Sequence, residues 1–173
     1  KTTLGYDADG NRTTVTDPLN RTTTSSFDAQ GRLLSVTDPL LGVTNYAYNL
    51  AGLLTSLTDS VGNATSYGYD AVNRLTSTTD PLLHSTTYAY NAASERTSET
   101  DRDGRVRNFG YDAVGRQTSE TWLNSLNQAI YTATYAFDAA GELTSASDAN
   151  SVYAYGYDAA NRLTSVDNLG TPG

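Results

Sequence analysis

The stretch Tyr69-Asp70-Ala71-Val72-Asn73-Arg74-Leu75-Thr76-Ser77 decides the fold, because close copies of it recur along the whole chain. The copies begin at eight aromatic residues: Tyr6, Phe27, Tyr48, Tyr69, Tyr90, Tyr111, Phe137 and Tyr157. Successive starts lie 21 residues apart five times, and then 26 and 20 residues apart. A fixed period of this size predicts a repeat architecture, in which each unit packs against its neighbours.

Each repeat is predicted to contain two short strands and two turns. In the repeat from Phe27, Asp28-Ala29-Gln30-Gly31 has the composition of a tight turn, with Gly at the position that needs a positive φ. Leu33 to Thr37 then has the composition of a strand, and Asp38-Pro39-Leu40-Leu41-Gly42 is a second break, since proline cannot donate to a ladder. Thr44 to Tyr48 is the second strand, with Thr44, Tyr46 and Tyr48 on one face.

A second aromatic residue precedes most repeat starts by two positions, with a small residue between the two. These small residues are Ala47, Gly68, Ala89, Gly110, Ala136 and Gly156. Because they lie on the opposite face from the aromatic rings, that face is predicted to be closely approached by another group. The strict alternation of Ala and Gly also suggests a structural unit of two repeats.

The chain is therefore predicted to be all-β, with short antiparallel β-hairpins in a continuous spiral or stacked sheet. A parallel β-solenoid is the alternative, since 21 residues could also form one coil. Residues 1–173 are expected to form a single array of about eight repeats and to be a segment of a longer chain. Neither end resembles a polar cap, so the partners are expected to be further repeats or other copies, joined head to tail.

Composition excludes several classes of function. The formal charge of −8 argues against nucleic acid binding, which needs clustered Lys and Arg. No apolar run is long enough for a membrane helix, so membrane insertion is not expected. Cysteine is absent and His84 is the only histidine, so thiol chemistry, a histidine triad and a zinc site cannot be built. We expect no enzyme, no cofactor and no metal site.

The repeated acidic residues are interpreted as turn formers. The array comprises Asp7, Asp28, Asp70, Asp112, Asp138 and Asp158. Each precedes a predicted turn, and this explains the pattern better than a catalytic or calcium-binding carboxylate array, because Pro18 stands where a calcium loop starting at Asp7 needs Glu. Four arginines beside these turns are predicted to pair with a turn Asp or carbonyl: Arg32, Arg74, Arg116 and Arg162.

Candidate binding residues lie in the one repeat that is longer than the others. Its extra residues around Trp122 are predicted to form a longer loop, in which Trp122, with Asn124 and Asn127, could contact a carbohydrate or a partner. Three Asn-x-Thr sequences make Asn11, Asn20 and Asn63 possible glycan acceptors.

The whole chain resembles the YD-repeat (Rhs and teneurin-type) family. Phe27-Asp28-Ala29-Gln30-Gly31-Arg32-Leu33 and Tyr111-Asp112-Ala113-Val114-Gly115-Arg116 are close to the family pattern. Asn49 and Asn91 replace its Asp, while Asn73 and Asn161 replace its Gly, and Asn also tolerates the left-handed conformation.

The resemblance implies a spiral of hairpins that forms a hollow shell, as in bacterial Rhs proteins and insecticidal toxin complexes, or an adhesion module, as in teneurins. On this basis the expected function is a non-catalytic structural module, secreted or at the cell surface, that forms the wall of an extracellular shell or a fibre. The alternative is an adhesion module that binds carbohydrate or a cell surface through exposed Tyr and Trp122.

Overall fold

The computed structural model describes residues 1–170, which form strands and turns only. The chain divides into two compact units, residues 1–85 and a second unit beginning at Thr86. The strands of the first unit are β1 (Thr3–Tyr6), β2 (Arg12–Thr16), β3 (Thr22–Phe27), β4 (Leu33–Thr37), β5 (Val43–Tyr48), β6 (Leu54–Thr58), β7 (Ala64–Tyr69) and β8 (Leu75–Thr79).

The second unit contains eight more strands, of which the first includes Ser85 from the preceding unit. They are β9 (Ser85–Tyr90), β10 (Arg96–Thr100), β11 (Val106–Tyr111), β12 (Gln117–Leu123), β13 (Ala129–Phe137), β14 (Leu143–Ser147), β15 (Val152–Tyr157) and β16 (Leu163–Asn168). In the described part of the chain, no helix has the length and apolar character needed to span a membrane.

Within each unit, strands that are consecutive in sequence pair antiparallel. The prediction of an all-β fold of antiparallel hairpins is confirmed. The alternative of a parallel β-solenoid is wrong, because short turns reverse the chain between strands, whereas parallel pairing needs a long crossover. The predicted strand Leu33–Thr37 coincides with β4, and the predicted Thr44–Tyr48 is one residue shorter than β5.

The turns share one hydrogen-bonding pattern that starts at an Asp or Asn. In the turn after β3, Asp28 Oδ1 accepts from the backbone N–H groups of Gln30 and Arg32, both at 2.9 Å, and Gly31 N–H donates to the Asp28 carbonyl. The same double acceptance recurs at Asp7, Asp17, Asp38, Asn49, Asp59, Asp70, Asp80, Asn91, Asp101, Asp112, Asn124 and Asp158. The predicted role of Asp as a turn former is confirmed.

The fourth residue of these turns has a positive φ, which explains why Gly or Asn usually occupies it. Gly31 has a φ of 74°, and Asn73 and Asn161, which replace Gly, have values of 67° and 60°. The shorter spacing of the repeat from Phe137 to Tyr157 has a local cause. The turn that starts at Asp148 is closed at Ser151, one residue earlier than in the other repeats.

Each hairpin that turns just after an aromatic repeat start carries a bulge, whose extra residue lies on the second strand. In β5 and β6, Ala47 faces Ser56 whereas Tyr48 faces Leu54, so Thr55 is left out of the register. Thr44, Tyr46 and Tyr48 share one face of β5, as the sequence predicted. This face is half-buried, while the alternate residues of β5 are exposed.

The small residue between the aromatic rings faces a serine of the neighbouring strand. Gly68 faces Ser77, Gly110 faces Ser119, and a Cβ built on Gly156 would lie 2.6 Å from Ser165 Oγ. The predicted close approach to this face therefore comes from a hydroxyl of the same hairpin.

Each unit is one sheet thick. Among the described residues only Ala133 is buried, with 5% of its surface exposed, because within a unit the strands contact only their sequence neighbours. Cross-strand pairs and turns, and not a core between two layers, therefore hold each unit together.

Leu41 is a strained position, and replacing it with glycine is expected to stabilise the first unit. Its φ is 69° although its side chain is 81% exposed, so the backbone strain is not offset by burial. Leu41→Gly should raise the free energy of unfolding by about 1 kcal/mol. The matched control is Leu40→Gly, where a 91% exposed side chain has no positive φ, and it should be neutral or destabilising. Urea unfolding of both variants tests this, and equal effects would contradict it.

Candidate functional site

The turn arginines occur in every second repeat, and Arg32 and Arg116 reach the following repeat. Arg32 Nε donates to Asp28 at 2.6 Å, its Nη1 donates to the Asn49 carbonyl at 3.3 Å, and its guanidinium lies 4.9 Å from the centre of the Tyr48 ring. Arg116 repeats this arrangement with Asp112 at 2.6 Å, the Asp138 carbonyl at 2.9 Å and the Phe137 ring at 4.8 Å. The predicted pairing with turn carboxylates and carbonyls is confirmed.

A second kind of contact between repeats is made by tyrosine hydroxyls, and it alternates along the chain with the arginine contact. Tyr69, Tyr111 and Tyr157 each follow a Gly, and each donates its hydroxyl proton to a backbone carbonyl of the preceding repeat. The acceptors are Leu54, Arg96 and Leu143, at 2.9, 2.9 and 3.0 Å. Aromatic residues that follow Ala at Tyr48 and Phe137 instead stack on an arginine. The structure thus has two alternating contacts between repeats, which gives a physical basis to the suggested two-repeat unit.

One alternate turn carries a second acid in place of arginine. The pKa of Glu142 is raised, chiefly by burial and then by its hydrogen bond to Asp138, with the negative charge of Asp158 acting in the same direction. Its Oε1 is a buried atom without a hydrogen-bond partner. In the described residues no group of three or more His, Cys, Asp or Glu side chains could hold a metal ion.

The longer repeat extends two strands, which corrects the prediction of a longer loop. Trp122 lies inside β12, which pairs with Ala129–Thr134 of β13, and the connection between the strands is again a turn that starts at Asn124. The reason is that the extra residues keep the alternation of a strand and that Asn124 supplies the usual turn acceptor.

The predicted polar residues of this region are used by the turn itself. Asn124 Oδ1 accepts from the backbone N–H groups of Leu126 and Gln128, and its amide donates to Gln128 Oε1 at 3.2 Å. Asn127 takes the positive-φ position, with a φ of 58°. Asn124 and Asn127 therefore serve the turn, and of the three candidate binding residues Trp122 remains.

The possible glycan acceptors also lie in turns. The side-chain amides of Asn11 and Asn63 donate to Asp7 and Asp59 at 3.0 and 2.8 Å, and Asn20 takes a positive φ of 61°. Glycosylation at these positions stays a prediction.

Trp122 belongs to a cluster of aromatic and charged side chains on the second unit. Its ring centre lies 6.1 Å from that of Tyr131 at an interplanar angle of 78°, and its Nε1–H donates to Glu120 Oε1 at 2.7 Å. The Arg107 guanidinium lies 5.5 Å from the Trp122 ring centre. Arg107 donates to Glu99 at 2.7 Å, and a second nitrogen lies 3.8 Å from Glu120.

The ion pairs shape the electrostatics of this cluster. The hydrogen bond to Glu99 raises the pKa of Arg107, which therefore stays charged. Glu99 also accepts from Arg96 at 2.8 Å, so two arginines neutralise it, whereas the Arg107 nitrogen beside Glu120 is more distant, at 3.8 Å. The pKa of Tyr135 is raised by burial and then by the negative charge of Glu120.

Sequence reasoning missed the charged members of this cluster. Glu99 and Glu120 stand nine residues after their aromatic repeat starts, where three earlier repeats have apolar residues: Val15, Val36 and Leu57. This exchange of an apolar residue for an acid was the signal in the sequence that could have identified them. Tyr131 was harder to predict, because its position opposite Trp122 depends on how far the two strands extend.

Two depressions meet at Trp122. One, of about 470 Å³, is lined by Glu120, Trp122 and Tyr131. The other, of about 260 Å³, is lined by Asp101, Arg105, Arg107 and Trp122. The indole is thus accessible from one side that carries the Glu120 carboxylate and from another that carries two arginines and Asp101.

Comparison with known proteins points to one family. The family described as RHS Repeat matches the chain over residues 6–44, 48–82, 90–121 and 137–171, which is well over half of its length. No curated protein sequence matches the chain.

Solved structures share the fold at low sequence identity. The crystal structure of TcdB2-TccC3-Cdc42 has a TM-score of 0.76 and 16% identity over 95% of this chain and 10% of the other. The crystal structure of TcdB2-TccC3 has a TM-score of 0.73 and 19% identity over 96% and 11%. A Photorhabdus luminescens Tc holotoxin pore has a TM-score of 0.69 and 23% identity over 87% and 9%. The chain thus spans about a tenth of the length of the structures it matches.

Proposed function

We propose that this chain, which belongs to the RHS-repeat family, is a non-catalytic structural module that forms part of a wall built from repeats. The observation that carries the proposal is the use of the recurring polar residues in the fold itself. The turn Asp residues accept backbone hydrogen bonds, as at Asp28, and the turn arginines join one repeat to the next, as at Arg116. These side chains maintain the shape of the array, and they are not available for acid–base chemistry.

The similarity to Tc toxin structures supports a wall of a secreted shell as the setting. In such a wall, a sheet that is one layer thick separates an interior from the outside. A fibre made of the same repeats is the variant of this proposal in which the sheet does not close. Both settings are extracellular or at the cell surface.

The proposed partners are further repeats, in the same longer chain or in another copy joined head to tail. β1 and β16 are each paired on one side only within the described residues. The two strands within a repeat share one register, in which a Ser or Thr faces the residue three positions before the next aromatic start. The pairs are Thr14 with Thr24, Ser35 with Asn45, Ser56 with Ser66, Ser98 with Asn108, and Ser145 with Ala154.

This register specifies how a second copy would continue the array. Ser165 of one copy would face Thr3 of the next, and Asp167 would then face Lys1. An opposite-charge pair across two strands adds up to about 1 kcal/mol of stability. It therefore favours this register over registers that are shifted by one residue.

A disulfide experiment tests the head-to-tail wall. The chain has no cysteine, so Ser165→Cys combined with Thr3→Cys provides one reactive pair. Under mild oxidation we expect a ladder of covalent multimers on a denaturing gel, because facing residues of adjacent strands have Cβ atoms about 5 Å apart.

The matched control combines Ser165→Cys with Leu4→Cys, which is one residue out of register and points to the opposite face. It should give no ladder. A monodisperse monomer at high concentration, with no ladder from either variant, would count against association through these edges.

A second function, recognition of a ligand at a cell surface, is favoured by one observation. Trp122 and Tyr131 are each 39% exposed and line an open depression with Glu120. This surface is compatible with the wall function, because it requires only one hairpin.

A further inference from the structure

The depression beside Trp122 has two aromatic walls at nearly a right angle. Trp122 and Tyr131 face each other across β12 and β13, and their rings enclose an angle of 78° with centres 6.1 Å apart. The lining of this depression comes from these two rings and Glu120. Aromatic faces carry negative electrostatic potential, and a corner formed by two rings is suited to a bulky organic cation.

Glu120 adds a negative charge that its surroundings neutralise incompletely. One carboxylate oxygen accepts the indole N–H at 2.7 Å and lies 3.8 Å from Arg107. Arg107 has a closer partner in Glu99 at 2.7 Å, and it lines the second depression and not this one. The two aromatic walls therefore stand next to a carboxylate that has spare capacity for a cation.

From this geometry we infer that the depression formed by Glu120, Trp122 and Tyr131 binds alkylated ammonium groups, such as a trimethylammonium headgroup. The inference rests on the second proposed function, recognition at a cell surface, and gives it a ligand class. The methyl groups of the cation contact the two rings, while its charge is attracted by the rings and by Glu120. The formal charge of −8 on the whole chain also attracts a cationic ligand.

A neutral sugar fits the same residues less well. Sugar recognition combines an aromatic platform with several hydrogen-bonding groups placed around it. Here the indole N–H already donates to Glu120, and Asn124 uses its side chain in the turn. Glu120 is thus the one charged or amide side chain that lines the depression.

Trp122 provides its own readout, since it is the only tryptophan of the chain. Titration with choline is expected to change its fluorescence saturably, with a midpoint in the millimolar range. The neutral carbon isostere of choline, in which carbon replaces the ammonium nitrogen, should have little effect. Glu120→Gln keeps an acceptor for the indole N–H but removes the charge, and it should weaken binding by about tenfold.

Two further variants separate the site from the fold. Tyr131→Ala removes one wall and should abolish the saturable response, whereas Tyr153→Ala should not, although Tyr153 is a comparably exposed tyrosine, at 36%, of the same unit. Melting temperatures of all variants verify that they are folded.

Equal binding of choline and its neutral isostere, or unchanged binding in Glu120→Gln, would overturn the assignment of an ammonium site. A response to neutral oligosaccharides alone would overturn it as well, but would leave surface recognition standing. The absence of any saturable response would remove both. The disulfide ladder tests the wall function independently of these binding experiments.

Discussion

Arg116→Ala is expected to lower the free energy of unfolding of the second unit by about 2 kcal/mol. The substitution removes the 2.6 Å bond to Asp112, the 2.9 Å bond to the Asp138 carbonyl and the contact with the Phe137 ring. The last two join one repeat to the next, and in a sheet with one layer there is little other packing to take their place. Urea unfolding followed by Trp122 fluorescence measures the effect, because Trp122 lies in the same unit.

Arg162→Ala is the matched control for this prediction. Arg162 makes the same pair with its own turn, Asp158, at 2.7 Å, but its side chain is 79% exposed. Exposed pairs of this kind contribute less than about 1 kcal/mol. If both substitutions cost the same, the contacts between repeats contribute nothing measurable, and the proposed role of the alternating arginines is wrong.

Asp112→Ala is expected to lower the melting temperature by on the order of 10 °C. Asp112 Oδ1 accepts from the backbone N–H groups of Val114 and Arg116, and Oδ2 accepts from the Arg116 side chain. Alanine leaves all three donors without this partner. Asp112→Asn should cost much less, because Asn49 fills the same role in another repeat. Thermal unfolding by circular dichroism compares the two variants.

The same turn makes stability depend on pH. The backbone N–H of Arg116, followed by its side chain, lowers the pKa of Asp112. A lowered pKa in the folded state means that the stabilisation is present above the pKa of the unfolded chain and is lost as pH falls through that of the folded chain. The melting temperature of the wild-type chain should therefore decrease when the pH is lowered below about 4.

Asp112→Asn should lose less stability than the wild type over this acid range, because an amide does not titrate. The difference between the two proteins should consequently narrow as pH falls. A constant difference from neutral pH down to the acid range would show that the charge of Asp112 does not contribute.

Much of the fold could be predicted from the sequence, because its determinants are local. An Asp accepts hydrogen bonds from residues two and four positions ahead, and a positive φ needs Gly or Asn, so the turns after Phe27 and Tyr69 are encoded by neighbouring residues. The alternation of a strand is equally local, and it correctly placed Tyr46 and Tyr48 on one face. These signals are repeated along the chain, which made antiparallel hairpins predictable.

The candidate site depended on which strands lie side by side and how far each strand extends. Trp122 faces Tyr131 only because β12 and β13 continue to the turn at Asn124, and Arg107 reaches Glu99 and Glu120 because their strands flank β11. Cross-strand contacts depend on register, which a hairpin takes from the position of its turn, and the sequence analysis placed a longer loop around Trp122 where the strands in fact continue. The sequence alone therefore determined the repeating turns and strands, whereas the tertiary structure decided which aromatic and charged side chains meet.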